Sequence, residues 1–203
     1  MRSRHPIVIT PPRRRRDAVV GSLGVVAVAV AAVLAVGSAR AGSASPLTEL
    51  VDAAAQRLQV AEPVAAFKWN THGAVEDPAR VQQQLAELGD AAAADHLDRD
   101  YVTRIFGDQI EATEAIEYRR FADWKLNPAA APAASPDLSS SRATIDGFNR
   151  TMLSQIADHW DELHSAACAA QLDAATADVT RAHRLDGLYQ QALALATHAY
   201  CQR

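Results

Sequence analysis

The residues best able to do chemistry are polar side chains that recur at helical spacing inside an apolar pattern. Along residues 98–125, Gln109, Thr113 and Glu117 follow one another at four-residue intervals, so they share one face of a helix. The same face carries a stripe of apolar residues, namely Val102, Ile105, Phe106, Ile110, Ile116, Phe121 and Trp124. A buried polar group without a partner costs about 1–3 kcal/mol. The three polar groups therefore need partners, which either the protein or a ligand must supply.

Several cationic and amide side chains have comparable placements. Arg57 and Lys68 are eleven residues apart, about three helical turns, and would share a face on a continuous helix. Arg80 and Gln84 are one turn apart, and Arg142 follows a segment rich in proline and alanine. Such a group can bind an anion, whereas a solvated side chain is the plainer explanation for any one member. Spacing alone leaves both explanations open.

The elements that must position these residues are all helical. Patterns with helical periodicity occupy residues 47–71, 78–96, 98–125, 138–164, 169–183 and 186–201, and no useful strand alternation occurs. Pro63 is expected to kink or restart the first pattern, and Asp77 and Asp98 are placed to cap the second and third. The sequence predicts an all-α fold, a single-domain bundle of about six helices.

The first forty or so residues have the three regions of a signal peptide. Arg13–Arg16 form a basic cluster, Ala18–Val36 are nearly uncharged and apolar, and Ala39-Arg40-Ala41 resembles a cleavage site. We expect a signal peptide over residues 1–41 and one domain over 42–203, secreted or periplasmic. The alternative is an uncleaved membrane anchor, because the apolar run is long enough to span a bilayer. With cleavage, no stable membrane insertion is expected.

Charge and cysteine content narrow the class further. Removing residues 1–41 takes away seven Arg and one Asp, which changes the formal net charge from −4 to −10. Nucleic-acid binding is therefore not expected. The two cysteines, Cys168 and Cys201, most simply form one structural disulfide in an exported protein. Two free buried thiols are the alternative, and no Cys-x-x-Cys spacing indicates redox chemistry.

A metal site is a further possibility in a helical bundle. Four histidines lie late in the chain, His159, His164, His183 and His198, but none belongs to a Glu-x-x-His or HExxH motif. We expect no metal.

The combination of residues is far more specific than any member. Arg57, Lys68, Asp77, Arg80, Gln84, Thr113, Glu117 and Arg142, in this order and spacing, resemble the pattern of the all-helical, type II chorismate mutases. Segments such as LVDAAAQRLQVAEPVAAFKW and YVTRIFGDQIEATEAIEYRRFADWKLNP, together with the two late cysteines, are similar to the exported, gamma-type subclass. The resemblance covers residues 47–201.

This resemblance implies an isomerase that converts chorismate to prephenate, a step in the biosynthesis of phenylalanine and tyrosine that belongs to the shikimate pathway. The reaction is an intramolecular Claisen rearrangement and needs no cofactor. By family position Arg57, Arg80 and Arg142 would bind the substrate carboxylates, and Lys68 and Glu117 the ether oxygen. The same correspondence implies that Gln84 binds the ring hydroxyl and that Thr113 binds a carboxylate or its neighbour. It also places Asp77 in the substrate site, although a role as helix cap explains an aspartate at this position equally well.

The resemblance also implies a homodimer with each site built within one protomer. The competing interpretation is a non-catalytic secreted bundle that binds a protein partner or a small anion. In such a bundle the inward polar residues would be replaced or would satisfy one another.

Overall fold

A computed structural model describes residues 44–134 and 136–201 of the chain. The regular elements in these residues are all helices, so the predicted all-α class is confirmed. None of the described helices is both long enough and apolar enough to cross a membrane. The predicted signal peptide, residues 1–41, lies outside the described residues, and its boundary stays a prediction.

Eight α-helices follow one another in the described part of the chain. They are α1 (Thr48–Gln59), α2 (Ala61–Thr71), α3 (Pro78–Ala94), α4 (Arg99–Leu126), α5 (Leu138–Asp158), α6 (Trp160–Leu163), α7 (Cys168–His183) and α8 (Gly187–Ala196), with a 3-10 turn at Pro128–Ala130 after α4. The count exceeds the predicted six because two of the predicted helices are each divided in two.

The first division lies at Val60, between α1 and α2. Pro63 has no N–H and so cannot donate to the carbonyl of Gln59, which interrupts the helical ladder one turn before the proline. Val60 keeps helical dihedral angles, with φ −70° and ψ −13°. The N–H of Val64 donates to the carbonyl of Val60 at 3.3 Å, and Pro63 lies in the first turn of α2.

The second division lies at His159, whose φ of −116° and ψ of 27° separate α5 from the short α6. The last helix also ends earlier than its pattern suggests, because α8 stops at Ala196 and the chain continues in turns to Cys201. The predicted caps are confirmed: the Asp77 carboxylate accepts from the Arg80 N–H at 3.1 Å, and Asp98 accepts from the Tyr101 N–H at 2.7 Å.

The long helix α4 is the centre of the packing. It contacts α1, α2, α3 and α8, while α1 in turn packs on α5, α7 and α8. Ile105, Phe106 and Ile116 of α4 are fully buried in this core, and each such side chain contributes about 1.5–3 kcal/mol of hydrophobic stabilisation. An element packed on so many sides holds its remaining side chains in fixed positions.

The C-terminal segment is fixed to the core by three contacts. Cys168 at the start of α7 and Cys201 form a disulfide, with 5.6 Å between their Cα atoms, so the predicted pairing is confirmed. Tyr101 of α4 donates its hydroxyl to the carbonyl of Tyr200 at 2.6 Å. The N–H of Ala199 donates to Asp108 at 3.0 Å. These contacts join the segment that follows α8 to α4 and to the start of α7.

We expect the free energy of unfolding of the double variant Cys168→Ser/Cys201→Ser to be about 4 kcal/mol lower than that of the wild-type chain. The two cysteines are 33 residues apart, and a disulfide closing a loop of this size removes that much chain entropy from the unfolded state. Urea denaturation measures the change. Reduction of the wild-type chain should produce the same shift, and an unchanged unfolding free energy under reductant would contradict this account.

Candidate active site

One cavity of about 120 Å³ gathers the residues singled out from the sequence. All eight line it: Arg57, Lys68, Asp77, Arg80, Gln84, Thr113, Glu117 and Arg142. The rest of the wall is Val64, Val75, Val81, Ile110, Glu114, Leu138, Ile145 and Asp146. Six of these eight residues are apolar, and apolar surroundings strengthen electrostatic interactions inside the cavity.

Five helices supply the lining. Arg57 is in the last turn of α1 and Lys68 in the last turn of α2, while Thr113 and Glu117 lie one turn apart on α4. Arg80 and Gln84 come from α3, whose first turn is capped by Asp77. Arg142 lies near the start of α5. The site can form only when all five helices are packed.

Lys68 and Glu117 form a hydrogen-bonded ion pair at the wall of the cavity. Lys68 Nζ donates to Glu117 Oε2 at 2.8 Å and to the carbonyl oxygen of Val75 at 2.5 Å. Glu117 is only 2 % exposed. Burial raises the pKa of Glu117 above its ordinary value and outweighs Lys68, which lowers it; nearby Glu114 raises it further. This carboxyl therefore accepts a proton more readily than an ordinary glutamate.

Arg57 is held rigidly on another wall. Its Nε donates to Asn149 Oδ1 at 2.7 Å and its Nη1 to Thr113 Oγ1 at 3.2 Å. The Thr113 hydroxyl donates a hydrogen bond to the carbonyl of Gln109 at 2.8 Å. Burial lowers the pKa of Arg57 to about 10, so the guanidinium keeps its charge at neutral pH. It is a fixed cation whose remaining donors are available to a ligand.

Arg80, Gln84 and Arg142 complete the lining in a different way. Within residues 44–134 and 136–201 none of the three side chains has a hydrogen-bond or ion-pair partner, and all three border the cavity. Arg142 is exposed, whereas Arg80 and Gln84 are half-buried. Two guanidinium groups and an amide therefore face the cavity with their donors free, as a site for an anion requires.

The pocket holds as many carboxylates as cations, so arrangement and not total charge determines what it binds. Its acidic members are Asp77, Glu114, Glu117 and Asp146. The carboxylate of Asp77 accepts from the backbone of α3 and that of Glu117 from Lys68. Burial, followed by nearby Glu76, raises the pKa of Glu114. The free guanidinium groups of Arg80 and Arg142 are the groups in this lining that a dianionic ligand would contact.

Gln109 lies outside the cavity, although its spacing matches that of Thr113 and Glu117. Its amide donates to the carbonyl of Ala54 at 3.2 Å, and the side chain is fully buried. It joins α4 to α1 as part of the packing.

Two contributors to the site were missed by the sequence interpretation. Asn149 orients Arg57, and its position gave a signal, because it falls on the apolar stripe of α5 between Ile145 and Met152. The same argument that singled out Thr113 applies to it. The carbonyl of Val75, which holds Lys68, gave none, because every residue has a carbonyl and only the fold decides where it points.

The late histidines have other surroundings. His183 Nε2 lies 2.5 Å from Asp52 Oδ1, and His159 lies near Glu162. In the described part of the chain, no group of three or more His, Cys, Asp or Glu side chains is arranged to hold a metal ion.

Comparison with known proteins identifies the family. The profile of the family described as chorismate mutase type II matches residues 48–118. A secreted chorismate mutase of Mycobacterium tuberculosis is 56% identical over 195 residues, 96% of this chain and 98% of that protein. That of Mycolicibacterium smegmatis is 51% identical over 177 residues, 86% of this chain and 98% of that protein.

The fold agrees with this relationship. The crystal structure of chorismate mutase from Burkholderia phymatum superimposes with a TM-score of 0.74 and 27% identity, covering 78% of this chain and 98% of that one. The similarity over nearly the full length of these relatives and the shared fold lead to one conclusion. The chain belongs to the secreted chorismate mutases of the all-helical, type II family.

Proposed function

We propose that this chorismate mutase rearranges chorismate to prephenate in the cavity lined by Lys68 and Glu117. The observation that carries the proposal is the ion pair between half-buried Lys68 and buried Glu117, which faces one cavity together with three guanidinium groups. In the reaction an ether C–O bond breaks while a C–C bond forms within one molecule. The protein needs only to hold a compact conformer and to stabilise negative charge on the ether oxygen.

The arginines bind the two substrate carboxylates. A guanidinium presents paired N–H groups that match both oxygens of a carboxylate. Arg57 is fixed by Asn149 and Thr113, whereas Arg80 and Arg142 have free donors. Clamping both ends of the dianion brings the reacting carbons together, which is catalysis by orientation.

Lys68 and Glu117 act on the ether oxygen. The Lys68 ammonium has three N–H donors, of which two are used by Glu117 and Val75. The third is available to the oxygen on which charge develops. Glu117 can also donate there only when it is protonated, because a carboxylate has no proton to give. A bound dianion disfavours the carboxylate further, which raises the pKa of Glu117 again.

The remaining polar residues orient the ligand. Gln84 has a free amide for the ring hydroxyl, and Thr113 lies beside Arg57, where it supports a carboxylate contact. Asp77 lines the same cavity while capping α3. Contact between Asp77 and the substrate stays a prediction. Its hydrogen bond to the backbone N–H of Arg80 is explained by helix capping alone.

A non-catalytic secreted bundle is contradicted by family membership. The polar lining argues the same way, because a bundle that used these residues only for structure would satisfy them internally. Arg80 and Arg142 instead remain without partners among the described residues and border a cavity.

The exported form is proposed to be residues 42–203, assembled as a homodimer with one complete site per protomer. The eight residues singled out from the sequence line one cavity within one protomer, which supports a site built within each protomer. Native mass spectrometry of the exported protein should show twice the mass of residues 42–203. A monomer would exclude the dimer, and a retained N-terminus would exclude cleavage after Ala41.

We expect Lys68→Met to lower kcat for chorismate by about 10²- to 10³-fold, the usual effect of removing one donor from a developing oxyanion. The ultraviolet loss of chorismate with gain of prephenate is the measurement, on purified residues 42–203. Lys125→Met is the matched control, because Lys125 is exposed on α4 and lies outside the cavity. No turnover by folded wild-type protein would refute the proposed function.

We expect the activity of the wild-type enzyme to fall as pH rises, by about tenfold per unit above the pKa of Glu117. The direction follows because the active form is protonated and burial raises that pKa. Glu117→Gln keeps a donor at every pH, so its kcat/KM should be nearly independent of pH. Profiles of both enzymes from mildly acidic to mildly alkaline buffer test this, and a flat wild-type profile would count against this role of Glu117.

A further inference from the structure

The loop between α2 and α3, residues 72–77, forms part of the cavity wall and accepts a hydrogen bond from Lys68 of α2. Val75 is its one buried residue, with 5 % exposure. The Val75 side chain lines the cavity, and its carbonyl accepts from Lys68 Nζ at 2.5 Å. The position of this loop therefore decides where one acceptor of the Lys68 ammonium lies.

The two ends of the loop are fixed by local contacts. His72 ends α2 in the left-handed region, with φ 57°, and the following Gly73 N–H donates to the carbonyl of Lys68 at 2.8 Å. At the other end the Asp77 side chain caps α3. Neither contact acts on the middle of the loop, where Val75 lies.

The middle of the loop is joined to the bundle by a second hydrogen bond besides that of Lys68. The hydroxyl of Tyr118 on α4 donates to Glu76 Oε1 at 2.6 Å. Tyr118 directly follows Glu117, and Glu76 directly follows Val75. The bond thus joins the two chain segments that hold Lys68, one residue beyond each of its acceptors.

We propose that Tyr118 and Glu76 are positioning residues that hold the Val75 carbonyl against Lys68 and so aim its third N–H into the cavity. This inference rests on the proposed function of Lys68. Two fixed acceptors define the direction of the remaining donor of an ammonium group. If the loop moved away, Lys68 would keep Glu117 alone and its ammonium could turn.

A role in stability alone predicts something different. Tyr118 is 50 % exposed and Glu76 is exposed, and bonds between exposed groups contribute little to folding because water replaces them. Loss of this bond should therefore leave unfolding nearly unchanged. Its effect should appear in kcat, because misdirection of Lys68 weakens a contact made mainly in the transition state.

The experiment compares Tyr118→Phe, Glu76→Ala and Glu76→Gln in the full exported enzyme with chorismate. We expect the first two to lower kcat by roughly three- to tenfold, the usual effect of one hydrogen bond, with KM within about twofold of wild type. The Tyr118→Phe/Glu76→Ala double variant should be no slower than the slower single variant. Glu76→Gln keeps an oxygen acceptor while removing the charge, so it should recover most of the lost kcat.

A second background separates positioning from other effects. In Lys68→Met enzyme, Tyr118→Phe should cause no further loss, because the side chain it positions is gone. Additive losses in that background, or wild-type kcat in Tyr118→Phe, would overturn the inference while leaving the proposed function intact. An effect of the charge alone would also overturn it, and would appear as equal losses in Glu76→Gln and Glu76→Ala. Absence of turnover in the wild type would overturn both.

Discussion

The interaction on which the site depends is the hydrogen bond between Lys68 and the buried carboxyl group of Glu117. A carboxylate removed from water is tolerated when a cation is paired and hydrogen-bonded with it. Here Lys68 Nζ lies 2.8 Å from Glu117 Oε2, and the Val75 carbonyl accepts a second hydrogen bond from the ammonium. The end of α2, the middle of α4 and the loop before α3 must therefore meet at one place.

Helix α4 meets this constraint by serving two purposes along its length. Ile105, Phe106 and Ile116 are buried in the core, while Thr113 and Glu117 present polar groups to the cavity. A helix that is packed against four others cannot easily shift, so its polar groups stay where the reaction needs them. The rigidity that stabilises the fold is the same rigidity that orients the substrate.

Spacing in the sequence was enough to predict what depends on helical periodicity and local caps. Thr113 and Glu117 were found as polar residues on an apolar stripe, and Asp77 and Asp98 as caps. Pro63 was expected to kink or restart the first helix, and the break lies at Val60 because the missing N–H of Pro63 acts one turn earlier than the proline itself. The break at His159 had no comparable marker, and a backbone acceptor such as Val75 depends on tertiary packing alone.

The cationic side chains of the cavity are of two kinds, those held by hydrogen bonds and those without partners among the described residues. This difference indicates the order in which an anion would contact them. Arg57 is buried and held by Asn149 and Thr113. It is therefore preorganised, and little conformational entropy is lost when it binds a ligand. Arg142 is exposed and unpaired among the described residues, and its side chain must be ordered when a ligand arrives. An anion would therefore meet the adaptable arginine at the rim first and the rigid one last. The fixed groups then set the geometry of the bound molecule, because the hydrogen bonds of Arg57 to Asn149 and Thr113 hold it in place before a ligand binds.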